Sequence, residues 1–273
     1  MWRPIRRAAR FLDNMAPKFE ESKWPSVDIF ICHYAEKGDD TIETLTCAMA
    51  MDYPSRLLHI WILDDGYFKS SWDNHNQFRI TINKGVIEKA GDLRMMICRH
   101  LYRIIEKEEP PEDDKELKPW RKKHTTVKEF NPNDVNANWR MDCAVGSVRD
   151  DYVCEGSGVP SVTYVGRMKP ETHHSKAGNI NNVLFNEKAS GKFVLFLDND
   201  MKPHPKFLLS VLPFFFTEVY TETGQSYYSD HVRYNKCAFV QTPQYFDEND
   251  PQLKEMADPC GHRNTIFFDA VEC

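Results

Sequence analysis

Apolar positions from residue 27 onward fall into short continuous runs, each closed by polar or turn-forming residues. Continuous runs of this length are typical of strands that are buried on both faces. They predict strands at residues 27–32, 57–63, 162–165, 193–197 and 238–241. Apolar residues spaced three or four apart predict helices at residues 41–51 and 176–188, and a helix over 207–219 that is bent at Pro213.

The order of these elements predicts the fold class. Strands that alternate with helices form an open, mostly parallel sheet flanked by helices, an α/β fold of the Rossmann-like type. The strand–helix–strand order over residues 27–63 predicts a parallel pair with a right-handed crossover. Ligands in such folds bind at the carboxyl ends of the strands, so the residues that follow each strand are the candidates for function.

One segment interrupts this order with charge. Residues 106–124 contain seven acidic and six basic residues together with Pro110, Pro111 and Pro119. This composition predicts a solvated loop or a partly disordered insertion, within a charged stretch of about residues 103–140.

The amino-terminal segment, residues 1–24, is basic with interleaved apolar residues, and its first ten residues include four arginines and no acid. Two interpretations remain open: an amphipathic segment on an anionic membrane surface, or a frayed tail. The longest apolar run, residues 207–216, is interrupted by Ser210 and Pro213 and is too short to span a bilayer. We therefore expect neither a transmembrane helix nor a secretory signal in these 273 residues.

Charge and cysteine content narrow the function classes. A net charge of −6 argues against nucleic acid as a partner. The eight cysteines include no pair with the spacing of a zinc site, and no secretory signal accompanies them. We expect reduced, mostly structural thiols in a cytosolic domain.

Acidic residues follow two of the predicted strands directly. Asp198 and Asp200 flank Asn199 after the strand at 193–197, and two carboxylates so spaced can hold Mg²⁺ or Mn²⁺ together with diphosphate oxygens. Asp64 and Asp65 precede Gly66 after the strand at 57–63, where a carboxylate can accept hydrogen bonds from a nucleoside. Each cluster is also compatible with an ordinary turn, because Asp and Asn favour turns.

Two further segments carry candidate binding residues. The run from Lys176 through Gly178 and Asn179 opens a predicted helix, and a lysine beside free backbone N–H groups suits a diphosphate. A capped helix with a solvated lysine is the alternative. The run Gln241, Thr242, Pro243 and Gln244 ends the predicted strand at 238–241 and is compatible either with a polar substrate path or with an edge-strand terminus.

Taken in order, these segments resemble the catalytic domain of processive family 2 glycosyltransferases, in the cellulose synthase branch. The matching stretches are VDIFICHYAE (27–36), Tyr53-Pro54, LDDG (63–66), SKAGNIN (175–181), FLDND (196–200) and VQTPQYF (240–246). They cover most of the chain, from about residue 25 to 250.

The resemblance implies a GT-A-type domain over residues 25–273 and a role for each matching residue. Tyr34 and Glu36 would contact the uracil, Asp64 and Asp65 the nucleoside, and Lys176, with Gly178 and Asn179, the diphosphate. Asp198 and Asp200 would bind the metal, and residues Gln241, Thr242, Pro243 and Gln244 would lie near the glucan. The implied reaction is inverting transfer of glucose from UDP-glucose to a growing β-1,4-glucan.

The chain departs from the family pattern in two places. The family loop usually reads Pro-Thr-Tyr-Asn-Glu, whereas residues 32–36 read Cys-His-Tyr-Ala-Glu. The later Thr-Glu-Asp motif with the general base, and the Gln-x-x-Arg-Trp motif for the acceptor, are not found before Cys273. We therefore expect a domain that is incomplete at its C-terminal end and inactive by itself, with the base beyond Cys273.

The resemblance also implies a cellular setting and leaves alternatives. It implies the cytoplasmic face of the plasma membrane, flanking membrane helices outside an otherwise soluble chain, and a homo-oligomer. Synthesis of chitin, hyaluronan or mixed-linkage glucan remains an alternative, as does an inactive nucleotide-sugar-binding module. A response regulator or phosphatase would also place acidic residues at strand ends, but the segments at 176–179 and 241–244 do not favour it.

Overall fold

The computed structural model describes residues 24–72, 78–128, 138–143, 158–170, 172–216, 218–220, 226–228 and 238–242. The chain divides into two compact units: the first is Trp24–Phe207, and the second is Leu208–Cys273 with Met1–Lys23. The predicted membrane-surface segment lies outside the described residues except for Trp24. Among the described residues, no helix combines the length and the apolar character needed to cross a membrane.

Strands and helices alternate through the first unit. The strands are β1 Val27–His33, β2 Leu58–Asp64, β3 Phe68–Trp72, β4 Phe78–Ile82, β5 Thr125–Lys128, β6 Trp139–Cys143, β7 Ser161–Gly166 and β8 Phe193–Asp198. The helices are α1 Gly38–Met49, α2 Lys84–Ala90, α3 Leu93–Glu106, α4 Asp114–His124 and α5 Ser175–Asn181, with a 3₁₀ turn at Ser55–Leu57 and a π-helical turn at Asn182–Asn186.

Six of these strands form one sheet in the order β5-β6-β7-β2-β1-β8. Strands β7, β2, β1 and β8 run parallel, while β5 and β6 are antiparallel additions at one edge. The predicted parallel pairing of the first two strands is confirmed, and so is the mostly parallel α/β fold flanked by helices. Strands β3 and β4 form a separate hairpin.

The sheet is buried because its central strands are apolar on both faces. Phe30 and Trp61 pack in one cluster with Val183 of the π-helical turn, so Ile29 and Ile31, which alternate with Phe30, face the other side. Asp28 is fully buried within β1, and its carboxylate accepts hydrogen bonds from the Trp61 indole (3.0 Å) and the Gly191 amide (2.5 Å). These bonds compensate the charge and tie three segments together.

The prediction of a loop at residues 106–124 is wrong, because Asp114–His124 is helix α4. The Asp113 side chain caps it by accepting from the Lys115 amide (2.8 Å), and Leu117 is fully buried as its apolar anchor. Acidic residues occupy the first turn of α4 and basic residues the last turn. This order of charges complements the helix dipole, and together with the cap and the burial of Leu117 it favours the helix although Pro119 removes one backbone hydrogen bond.

The second unit contains short elements among its described residues. Helix α6, Phe207–Val211, starts at the boundary between the units and passes into a 3₁₀ turn at Leu212–Phe215, and β9 Glu218–Tyr220 pairs with β10 Ser226–Tyr228. The longer helix predicted over 207–219 is therefore wrong, because Pro213 has no N–H to continue the α-helical ladder. The strand predicted at 238–241 is also wrong, since these residues are irregular and Phe239 is 76% exposed.

Candidate nucleotide-sugar site

The parallel register brings the ends of four strands to one edge of the sheet. Cys32 pairs with Asp198 across β1 and β8, His33 with Asp64 across β1 and β2, and Asp64 with Gly166 across β2 and β7. The acidic clusters predicted from the sequence therefore end β2 and β8, the two strands that flank β1, at one edge of the sheet. Three loops and α5 complete the candidate site.

The turn after β8 exposes both predicted metal ligands. The Met201 amide donates to the Asp198 carbonyl (3.1 Å), and the Thr44 hydroxyl of α1 donates to the carbonyl of buried Asn199 (2.6 Å). Because Asn199 is held inward, its neighbours lie outward: the Asp198 side chain is 47% exposed and Asp200 is exposed.

These two carboxylates fit a divalent cation that shares its ligands with a nucleotide. Among the described residues, no group of three or more His, Cys, Asp or Glu side chains is arranged to hold a metal. Mg²⁺ commonly takes one or two carboxylates and completes its shell with phosphate oxygens and water. A pair of exposed acids at a strand end suits that mode of binding.

Lys176, in the first turn of α5, forms an ion pair with Asp198. The two residues are 22 positions apart in sequence, and both side chains are about half exposed. Burial lowers the pKa of Lys176, but the bond to Asp198 and the nearby negative charges of Asp198 and Glu36 together raise it by more, so the net shift is upward. The ammonium is therefore positively charged, and it lies beside the candidate metal position.

The Asp64 side chain stabilises the turn after β2 through hydrogen bonds. One carboxylate oxygen accepts from the amides of Gly66 (2.7 Å) and Tyr67 (3.0 Å), and the other accepts from the Tyr164 hydroxyl (2.7 Å). The side chain is buried at 3% exposure. Asp64 therefore shapes the loop that carries its neighbour Asp65.

Asp65 is also buried, at 5% exposure, but its bonds are incomplete. Oδ2 lies 3.2 Å from the Lys169 ammonium, whereas Oδ1 lies 3.5 Å from Arg167 and accepts no hydrogen bond from any described residue. Burial raises the pKa of Asp65, and the two cations oppose that shift. A buried carboxylate oxygen without a donor is unfavourable unless a ligand supplies one.

Tyr34 projects from the loop after β1. Its ring is 60% exposed, and the Lys169 ammonium lies 4.1 Å from the ring centroid. The Tyr34 amide donates to Glu36 Oε2 (2.6 Å), and Ala35 takes a positive φ of 57°. A Cβ on Gly66 would lie 2.9 Å from the Ala35 nitrogen, so glycine permits the loops after β1 and β2 to touch.

The loop before α5 is held by Arg167, which follows β7. Its guanidinium donates to the backbone carbonyls of Ser175 (3.1 Å) and His173. Gly178 lies against this arrangement, and Asn179 donates to the Leu63 carbonyl (3.1 Å) while its own side-chain oxygen is buried without a donor among the described residues. The Lys176 segment is therefore fastened to the ends of both β2 and β7.

The predicted site residues divide into three groups. The first group lies at the carboxyl edge of the sheet, at the last residue of a strand, in a loop or in α5: Tyr34, Glu36, Asp64, Asp65, Lys176, Gly178, Asn179, Asp198 and Asp200. Gln241, which is exposed, and Thr242 belong to the second unit. Pro243 and Gln244 lie outside the described residues. The individual ligand roles stay predictions.

Sequence reasoning missed the two cations after β7. Arg167 and Lys169 lie one and three residues beyond the end of that strand. The available signal was positional: β7 ends at the same sheet edge as the acidic clusters, so basic residues there lie near Asp65. Cys32 also lies at this edge, and burial raises the pKa of its thiol to about 11, which favours the protonated form at neutral pH.

Removing the Tyr164 hydroxyl tests whether Asp64 depends on its internal bonds. Tyr164→Phe leaves one buried oxygen of Asp64 without its donor, so we expect the free energy of unfolding to fall by about 1–3 kcal/mol. Urea unfolding followed by tryptophan fluorescence measures this change, and Tyr102→Phe, at a half-buried position on α3, is the control. Equal stability of the two variants would contradict the structural role given to Asp64.

Comparison with characterised proteins identifies similar sequences. The chain is 46% identical over 130 residues to a UDP-forming catalytic subunit of cellulose synthase from Dictyostelium discoideum. The aligned region covers 46% of this chain and 11% of the relative. It is 25% identical over 294 aligned residues to a cellulose synthase-like protein of Oryza sativa subsp. japonica, covering 90% of this chain and 36% of the relative.

A third relative differs in its acceptor. A quillaic acid 3-O-glycosyltransferase of Saponaria officinalis is 25% identical over 226 residues, covering 73% of this chain and 31% of the relative. This chain thus spans well under half the length of each of the three relatives. No protein-family model matches it.

The names of the relatives agree with the family resemblance inferred from the sequence motifs. Two of the three are named for cellulose synthase and the third for glycosyl transfer. The fold is the mostly parallel α/β sheet that the resemblance implies. In sequence and in fold class, the chain is therefore similar to cellulose synthase-type glycosyltransferases.

Proposed function

We propose that the protein binds UDP-glucose with a divalent cation and transfers glucose, with inversion, to a growing β-1,4-glucan. The observation that carries the proposal is the gathering of an exposed aromatic ring, an incompletely bonded carboxylate and a lysine–aspartate pair at one sheet edge. That set offers a stacking surface, a hydrogen-bond acceptor and a diphosphate position.

The nucleoside end would be formed by Tyr34 and Asp65. An exposed aromatic ring stacks on the face of a base, and Asp65 Oδ1 accepts from an N–H or O–H donor. Uracil offers an N–H and the ribose offers hydroxyls. Binding would therefore complete a hydrogen bond that the protein leaves unmade.

The diphosphate end would be formed by Lys176 with Asp198 and Asp200. When bound, the cation would neutralise the negative charge that develops on the departing diphosphate. Lys176 is half exposed, so its ammonium is free to exchange its bond with Asp198 for one with a phosphate oxygen. The chain would thus supply one carboxylate pair and one ammonium to the leaving group.

The sugar and the acceptor are the parts of the proposal with alternatives. Chitin, hyaluronan and mixed-linkage glucan synthesis use the same donor chemistry with other sugars or linkages. The quillaic acid 3-O-glycosyltransferase, which covers 73% of this chain, favours a small-molecule acceptor as a second candidate. No described residue is assigned as the general base, so a nucleotide-sugar-binding module remains an outcome of the test.

Calorimetry and turnover on the whole chain test the proposal. We expect UDP-glucose to bind in Mg²⁺ more tightly than UDP-N-acetylglucosamine, and UDP to be released when a soluble cello-oligosaccharide is added. Transfer to a triterpenoid alcohol alone would favour the second candidate, and binding without any turnover would favour the binding module. A chain that binds no UDP-sugar in Mg²⁺ would contradict the proposal.

A further inference from the structure

Lys169 occupies an unusual position for a lysine. Its side chain is 13% exposed, and its ammonium lies 3.2 Å from Asp65 Oδ2 and 4.1 Å from the centroid of the Tyr34 ring. A lysine this buried is retained only where its charge is compensated. Here the compensation comes from the two side chains to which the resemblance gives the nucleoside end.

Arg167 does not duplicate this role. Its guanidinium is 4% exposed and donates to the carbonyls of His173 and Ser175, which commits it to the loop before α5. At 3.5 Å from Asp65 Oδ1 it contributes charge but no hydrogen bond. Lys169 is therefore the cation that directly bonds the Asp65 carboxylate.

Lys169 contacts only one oxygen of Asp65 and one face of the Tyr34 ring, so part of each group remains available to a ligand. Asp65 uses Oδ2 for the ammonium, so Oδ1 keeps its capacity to accept a hydrogen bond. The ammonium covers one face of the Tyr34 ring, while the ring as a whole remains 60% exposed. A nucleobase stacked on the other face of the ring would have its polar edge within reach of the loops after β1 and β2.

We propose that Lys169 is a positioning residue of the nucleoside end: it holds Asp65 as a carboxylate with one oxygen available to the nucleoside, and it supports the Tyr34 ring from behind. The proposal rests on the proposed function, since it concerns the same site. It assigns Lys169 to the base and ribose and not to the diphosphate, because the ammonium is already bound by Asp65 and Tyr34.

The charges around Asp65 make the proposed role of Lys169 testable through the pH dependence of binding. Burial raises the pKa of Asp65, and Lys169, Arg167 and the imidazole of His173 lower it. Cys32 also faces Asp65, but its thiol is neutral because burial raises its pKa to about 11. Removing Lys169 takes away an opposing charge, so the pKa of Asp65 rises further and the carboxylate is protonated at a higher pH.

The test compares Lys169→Gln with Lys169→Arg, with Lys192→Gln as the control. Lys192 is an exposed lysine that precedes β8, at the other end of the strand from the site. Calorimetry with UDP, uridine and inorganic pyrophosphate, each in Mg²⁺, separates the nucleoside end from the diphosphate end. For Lys169→Gln we expect UDP and uridine to bind about tenfold more weakly near neutral pH, with pyrophosphate unchanged.

The pH profile distinguishes positioning from a general loss of structure. As the pH is lowered, the UDP affinity of Lys169→Gln should fall at a higher pH than that of the wild type, because the pKa of Asp65 is higher without the lysine. Lys169→Arg keeps the charge, so its profile should follow the wild type.

The inference would be overturned by unchanged UDP binding in Lys169→Gln, by an equal loss of pyrophosphate binding, or by a loss of UDP binding that is the same at every pH. A shifted profile in Lys169→Arg would overturn it even if the glutamine variant did not fold. Absence of UDP binding by the wild type is a separate outcome, which would reject the proposed function and this inference with it.

Discussion

Asp198→Asn is expected to weaken magnesium-dependent binding of UDP by about 100-fold or more, because it removes a charged ligand from a site with only two carboxylates. The structure adds a second expectation. Lys176 is paired with Asp198, so the substitution releases its ammonium. In EDTA, the variant should therefore bind UDP at least as tightly as the wild type. Calorimetry in Mg²⁺ and in EDTA measures both effects.

Asp52→Asn is the matched control, because Asp52 is an exposed aspartate in the turn after α1, away from the carboxyl edge of the sheet. It should bind UDP like the wild type in both buffers. Unchanged Mg²⁺-dependent affinity in Asp198→Asn would remove Asp198 from the metal site. A loss of equal size in Mg²⁺ and in EDTA would show that Asp198 acts on the protein and not through a cation.

Gly178→Ala is expected to lower the free energy of unfolding by about 3 kcal/mol and to abolish UDP binding. A Cβ at this position would lie 2.0 Å from the His173 carbonyl oxygen and 2.9 Å from both terminal nitrogens of Arg167. The carbonyl belongs to the backbone, so no side-chain rotation relieves the clash. The loop before α5 must move, and Lys176 moves with it.

Gly85→Ala separates this clash from the general effect of replacing glycine in a helix. Gly85 lies in α2, and its added Cβ would meet only the Asn83 side-chain oxygen, at 3.9 Å. Alanine favours helix over glycine, so this variant should be as stable as the wild type or up to about 1 kcal/mol more stable. Urea unfolding and UDP calorimetry on both variants decide the matter; wild-type stability and affinity in Gly178→Ala would refute the packing argument.

The sheet could be predicted because its strands carry their own signal. Residues 27–32 and 57–63 are apolar except for Asp28 and His59, and near-continuous apolar runs are typical of parallel strands that are buried on both faces. Once these strands pair in parallel, the residues that follow them meet at one edge. The proximity of Asp64 and Asp198 was therefore implied by strand order, and the register confirms it.

Helix α4 shows where composition misleads. Counting the charges of residues 106–124 predicts a solvated loop, but their order places acids in the first turn and bases in the last. A single buried residue, Leu117, and the Asp113 cap are enough to anchor the helix in its tertiary setting. The strand predicted at 238–241 failed for the opposite reason, because its apolar residues include one that is largely exposed.

The details of the site depend on contacts that no local pattern contains. Lys169 becomes a site residue only because β7 lies beside β2, which carries Asp65. Neighbouring acids also differ: Asp64 accepts from the Gly66 amide in its turn and from the Tyr164 hydroxyl of β7, whereas Asp65 keeps an oxygen without a donor among the described residues. Their sequence spacing gives both the same expectation, and only the tertiary hydrogen bonds separate them.

A crystal of the chain grown with UDP and Mn²⁺ tests the central claim most directly, since anomalous scattering locates the manganese independently of the protein phases. We predict one manganese ion in direct coordination with the carboxylates of Asp198 and Asp200, with the diphosphate beside Lys176 and the uracil against Tyr34. Manganese that contacts neither carboxylate, or UDP bound away from this edge of the sheet, would contradict the account.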